Sequence, residues 1–227
     1  MSDRRQMDMD GLREHWAWRP EWVRERPCLY WYLAVGPAGL AEACEPVLAE
    51  LRRTPWLDVV PPAWWHVTVC DVGFEDELDP SVVDRVGASV AEAVAAAAGG
   101  SPPGALHLDC GPYERFASAV ALRVGPSAAV GALQQTVRDA TELVLGPGRP
   151  LVHRHRFRPH LSLGYANRAV TGAELDSLAR RLPEVAGQAQ VDRLSLVAVT
   201  RRDRHYQWSV RREVPLHRVP VPSGAVG

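Results

Sequence analysis

The chain has 227 residues, enough for one large domain or two small lobes sharing a cleft, and enough to bury a core without disulfide or metal staples. With 46% hydrophobic and 23% charged residues and a net charge of −1, it is neither a disordered chain nor a polycation that coats nucleic acid. No apolar run reaches the roughly 18 residues needed to span a bilayer.

The first ten residues, MSDRRQMDMD, have no apolar stretch behind their charges, so they do not read as a secretory signal. Cys28, Cys44, Cys70 and Cys110 form no CxxC pair and read as free thiols in a reducing compartment. A cytoplasmic protein without membrane attachment is expected. Lys and Ile are absent, and Asn occurs only at Asn167, which points to high-GC coding. Every fixed cation is therefore an Arg, whose planar fork suits phosphate and carboxylate.

Residues 1–27 are charged and Trp-rich, and read as an arm docked on the body or lying over part of a cleft. Leu29–Val35 reads as a strand stopped by Gly36-Pro37. Gly39–Arg53 has helical periodicity, with Pro46 expected to kink or restart it. Pro61-Pro62 precedes a second strand, Trp65–Val72. Asp79 caps a helix running to about Ala98, with Pro80 in its first turn and Gly99-Gly100 after it. Ala105–Cys110 and Ala117–Val124 read as strands, Ser127–Leu145 as a helix, and Pro159–Tyr165 as a strand after a basic loop. Thr171 and Glu174 form a capping box for a helix to Leu182. Val191–Thr200 and His205–Val210 read as a closing hairpin. The body is thus expected over residues 28–214 as a single bilobal domain, followed by a frayed tail over 215–227. Strand–helix–strand occurs twice, which makes the class α+β with a weak internal repeat.

Each repeat carries a histidine at the same point. The first reads His66-Val67-Thr68-Val69 and the second His160-Leu161-Ser162-Leu163. Residues i and i+2 of a strand share a face, so each strand presents one imidazole and one hydroxyl on its polar face and two apolar residues behind. One such match is weak. Two matches, each opening the second strand of a matching unit, form a constellation that isolated core histidines do not explain. Two imidazoles facing across a cleft can remove one proton and deliver another near neutral pH. The two hydroxyls can hold the non-bridging oxygens of an anion. A phosphodiester needs this set. No metal-ligand spacing accompanies it, so neither metal nor cofactor is expected.

These paired motifs resemble those of the 2H phosphoesterase superfamily, and FRPHLSLGY resembles its second motif region closely. The span from about Leu29 to Val210 is similar in element order to bacterial members of the 2′-5′ RNA ligase family, and HWAWRP to an extension in some actinobacterial members. The resemblance implies a bilobal fold in which two antiparallel sheets form a V-shaped cleft with helices outside. It implies action on 2′,3′-cyclic phosphates or 2′-5′ phosphodiesters of RNA or nucleotides, with His66 and His160 catalytic and Thr68 and Ser162 binding substrate.

Other residues are secondary candidates. Arg149, Arg154, Arg156 and Arg158, with His153 and His155, form a basic loop before the second motif. Arg158 is the one expected to reach the cleft and attract phosphate; HxH at 153 and 155 lacks a third ligand. Tyr32, on one face of the first strand with Tyr30, is placed to enter the cleft. Trp64 falls on the His66 face if that strand extends back, and would then stack on a base. Tyr165 falls on the core face by strict alternation. Arg201, Arg202 and Arg204 read as a charged turn, and His15, His107 and His217 as surface or structural residues.

The expected activity is metal-independent hydrolysis of 2′,3′-cyclic phosphates on RNA ends or nucleotides by a monomer. A 2′-5′ ligase running the same site backwards, and an RNA- or nucleotide-binding protein without turnover, are the alternatives.

Overall fold

A computed structural model describes residues 11–17, 21–23, 25–146 and 157–217. Within these residues, nine strands form two antiparallel sheets. The strands are β1 (Cys28–Ala34), β2 (Leu57–Val59), β3 (His66–Phe74), β4 (Leu106–Phe116), β5 (Ala119–Gly125), β6 (His160–Ala166), β7 (Gly187–Val191), β8 (Arg193–Arg202) and β9 (His205–Pro215). The four-stranded sheet runs β3-β1-β8-β9 and the five-stranded sheet β2-β6-β5-β4-β7. The helices are α1 (Leu40–Arg52), α2 (Pro80–Ala97), α3 (Ser127–Leu145) and α4 (Gly172–Ala179). The expected α+β class, with two antiparallel sheets and a cleft between them, is what the chain adopts.

The helices form for the reasons their sequences supply. In α1, Leu40, Cys44, Val47, Leu48 and Leu51 are buried on one face, the spacing of a single apolar stripe. Pro46 sits inside α1 without ending it. Pro46 and Glu42 are both exposed, so the Glu42 carbonyl that loses its helical partner can be hydrated. Asp79 caps α2 by accepting from the Ser81 amide at 2.8 Å, with Pro80 at the first position. The Thr171–Glu174 capping box opens α4. That helix stops at Ala179, short of the expected end at Leu182.

Three differences from the sequence reading have physical causes. β4 does not end at Cys110; Gly111-Pro112 interrupts the pairing as a register shift between Cys110 and Tyr113, after which the ladder to β5 resumes through Phe116. A proline cannot donate to the ladder, and a bulge accommodates it. β2 and β7 have three and five residues, too short for periodicity to reveal. Residues 215–217 are not frayed: Leu216 is buried, its amide bonds Asp192 O at 2.8 Å, and its carbonyl accepts from Gly104. The rest of that tail, 218–227, lies outside the described residues.

The two sequence repeats interlock. β2, from the first half, pairs with β6, while β8 from the second half pairs with β1. Helix α1, which follows β1 of the four-stranded sheet, packs on β2 and β7 of the other; α3, between β5 and β6, packs on β3 as well as β5. One continuous apolar core results, with Trp31, Trp65, Leu33, Leu122 and Leu161 fully buried within it. All four cysteines are free and buried. Burial pushes the Cys44 thiol up to about 11 and Cys110 up to about 12, so neither is a nucleophile at neutral pH. Among the described residues no helix is long and apolar enough to cross a membrane.

Candidate active site

His66 opens β3 and His160 opens β6, strands that approach one another from the two sheets. Alternation does the rest. Val67, Val69, Leu161 and Leu163 are fully buried, which turns the intervening side chains toward a cavity of about 670 Å³ lined by His66, Thr68, His160 and Ser162.

The two imidazoles are held alike. His66 Nδ1 lies 2.9 Å from the Trp64 carbonyl and His160 Nδ1 lies 2.9 Å from the Arg158 carbonyl, in each case the residue two before. A carbonyl only accepts, so both Nδ1 atoms carry the hydrogen, and in each neutral ring Nε2 is the acceptor. Each ring is also stacked: Tyr32 lies on His66 at 3.9 Å between centroids and 12° between planes, and Phe116 on His160 at 3.7 Å and 20°. Orientation is therefore fixed by one hydrogen bond and one aromatic face at both positions.

The motif hydroxyls are paired with tyrosines. Thr68 lies within reach of the Tyr32 hydroxyl, and Ser162 within reach of the Tyr165 hydroxyl. Burial raises both phenols well above their ordinary value, so they remain neutral. Burial lowers His66 to about 4, with the nearby His160 charge a further, smaller cause, partly opposed by the Trp64 carbonyl. His66 is thus neutral in the free protein at pH 7. The site joins two oriented imidazoles to a set of neutral hydroxyls, a set suited to moving protons around an anion.

Tyr32 and Tyr30 both line the cavity, as their shared face on β1 anticipates. Tyr165 does not lie on the core face. The β5–β6 ladder slips by one residue between Ser162 and Gly164, and this bulge turns Tyr165 into the cavity. Trp64 ends a short 3₁₀ turn, Pro62–Trp64, instead of extending β3. Its ring packs edge-on against Trp208 at 4.9 Å, and Trp208 in turn meets the His66 ring at 5.1 Å. Arg158 sits at the rim: it is ion-paired with Glu114 and its guanidinium lies 5.1 Å from the Phe116 ring centre, one ring away from His160. Arg149, Arg154, Arg156, His153 and His155 lie outside the described residues. Among the described residues no group of three or more His, Cys, Asp or Glu side chains is placed to hold a metal.

Four cavity or wall residues escape the sequence reading. Tyr206 and Trp208 alternate on β9, and Phe116 follows a Gly-Pro that hides its strand. His15 reads from sequence as surface or structural. It is buried and structural, and it also lines the cavity.

Fold and site define a two-histidine phosphoesterase architecture. Residues 40–203 match the family model of the 2′-5′ RNA ligase superfamily, and the chain belongs to that superfamily. Its fold is similar to TT0787 of Thermus thermophilus, at TM-score 0.59 and 18% identity over 83% of this chain and 97% of that one. It is also similar to E. coli LigT in apo form, at TM-score 0.55 and 17% identity over 86% of this chain and all of LigT. LigT complexed with 3′-AMP matches at TM-score 0.56 and 14% identity, over 85% of this chain and 99% of that one. No curated protein matches the chain.

Proposed function

We propose that the protein hydrolyses 2′,3′-cyclic phosphates on nucleotides or RNA ends, using His66 and His160 as the acid–base pair without a metal. The observation that supports this most is the matched tethering of the two Nδ1 atoms, in two rings that line one cavity together with Thr68 and Ser162. Water attacks phosphorus as one Nε2 takes its proton. The bond from phosphorus to a ribose oxygen breaks as the other imidazole, protonated, delivers a proton to that oxygen. The product is a phosphomonoester. A bound phosphodiester carries one negative charge, which favours retaining one proton in the cleft. Thr68 and Ser162, beside Tyr32 and Tyr165, donate to the non-bridging oxygens as charge builds. That LigT has been crystallised with 3′-AMP agrees with a nucleotide-sized occupant. The same groups run in reverse would join two ends.

The test is turnover of the four 2′,3′-cyclic mononucleotides and a cyclic-phosphate-ended RNA in EDTA, beside the His66→Ala/His160→Ala double variant. Hydrolysis that resists EDTA and vanishes in the variant is expected. Turnover of none of these substrates, or turnover that the double variant retains, overturns the reading.

A further inference from the structure

The family match begins at residue 40 and leaves the segment before β1 unassigned. Its described residues, 11–17, 21–23 and 25–27, touch both sheets. On the five-stranded side, Leu12 and Val170 exchange two backbone hydrogen bonds at 3.0 and 2.9 Å, the Arg13 amide donates to Ala117 O at 2.9 Å, and the His15 amide to Ala166 O at 2.8 Å. On the four-stranded side, Trp22 stacks between Tyr30 and Tyr206 under the Arg201 guanidinium, 4.5 Å away, and Arg201 also reaches Trp16 O. His15 joins the two sides. Its Nδ1 lies 2.8 Å from Ser118 Oγ, its Nε2 2.7 Å from the Tyr206 hydroxyl, and its ring stacks on Tyr165 at 4.0 Å.

All these anchors sit at one end of the strands: the β4–β5 turn, the C-terminal end of β6 and the region of the β8–β9 turn. The motif histidines sit at the other. His160 opens β6, and His66 pairs with Ala34 at the far end of β1 from Cys28. At about 3.3 Å per residue, the length of β6 puts the segment's backbone at most about 20 Å from His160, and the His15 ring, stacked on Tyr165, lies nearer. Arg13, Glu14, His15, Ala17 and Trp22 contribute to the lining of the cavity, whose volume is about 670 Å³. That lies within the roughly 300–1,000 Å³ of sites built for one small ligand.

We propose that this segment is the end wall of the active-site cleft, and that it confines the reaction to phosphodiesters at a nucleotide or a strand terminus. The proposal rests on the phosphodiesterase reading and narrows it. A terminal cyclic phosphate has polymer on one side only, which leaves by the open end. An internal 2′-5′ linkage has polymer on both sides of phosphorus and needs two exits. The same wall opposes ligation of two strands, because the product is an internal linkage.

The test compares three substrates: a 2′,3′-cyclic mononucleotide, a short RNA ending in a cyclic phosphate, and an RNA of the same length with one 2′-5′ linkage at its centre. The wild-type protein is expected to cut the first two with kcat/KM within about tenfold of each other, and the third at least 100-fold more slowly. Cutting the internal linkage within tenfold of the terminal phosphate overturns the wall. Two variants loosen it from different sides. His15→Ala/Trp16→Ala removes the His15 contacts and the bond that Trp16 Nε1 donates to Asp58 of β2 at 2.7 Å, and Gly11→Val places a Cβ against the Val170 carbonyl, where none fits. In both, the ratio of internal to terminal cleavage is expected to rise at least tenfold. Loss of fold or of catalytic power scales both rates together and leaves that ratio unmoved. A variant that still cuts the mononucleotide with an unchanged ratio overturns the proposal. Turnover of no substrate overturns the underlying reading instead. The wall is then judged by affinity, with the mononucleotide binding and the internally linked RNA not; equal affinity for both overturns it.

Discussion

His66 and His160 are tethered alike but buried differently, and the difference has consequences outside catalysis. Replacing either by Ala is expected to lower kcat by about 10²–10⁴-fold, measured on cyclic mononucleotides. Tyr32→Phe keeps the ring stacked on His66 and removes only the hydroxyl within reach of Thr68. At about 0.5–1.5 kcal/mol for a hydrogen bond, kcat/KM should fall roughly twofold to tenfold, and a larger loss would mean that the phenol contacts substrate. Burial holds His66 at about 4 and His15 at about 3 in the folded protein, against 6.5 ordinarily. The unfolded chain therefore binds protons at pH values where the folded one does not. Stability is unaffected by these groups above pH 6.5 and falls as pH drops from 6.5 toward 4, by up to about 1.4 kcal/mol per pH unit for each. Denaturant melts from about pH 4 to pH 7 should show this slope, and His15→Gln should reduce it. The motif residues are legible because strand alternation is local, and because the pattern occurs twice. His15 is not, because a lone histidine in a charged arm gains its meaning only from Ser118, Tyr165 and Tyr206, the nearest of them 103 residues further along the chain.

Among the elements, irregularities decide more than regular stretches. The bulge between Ser162 and Gly164 turns Tyr165 into the cavity, and the bulge at Gly111-Pro112 carries β4 on to Phe116, which stacks on His160. The first corrects a reading by strict alternation and the second a strand ended at Cys110, since a period of two cannot foresee an inserted residue. Helix α1 offers a test of local cost. Pro46→Ala restores a donor to Glu42 O and should raise stability by about 1–2 kcal/mol, the helix-interior penalty of proline less its restriction of the unfolded chain. A chemical denaturation midpoint that does not rise would mean the helix is already relaxed around Pro46.

At the scale of the whole molecule, the two sheets are tied by exchange. Each half of the chain lends a strand to the other's sheet, and the N-terminal segment touches both. Trp22, buried between Tyr30 and Tyr206, is the anchor of that segment on the four-stranded side. Trp22→Ala should cost about 3–5 kcal/mol, read as a lowered denaturation midpoint, far more than removal of a residue on a free arm. The sequence alone determined the class, most of the element order, the two motifs and the chemistry they can perform, because periodicity, caps and residue type are properties of neighbours. Which sheet each strand joins, which helix covers which sheet, how far Arg158 stands from the cavity, and that the arm bridges the two sheets at one end of the cleft were decided only by tertiary structure. Those depend on contacts between residues far apart in the chain, whose burial is settled when the two sheets pack and not before.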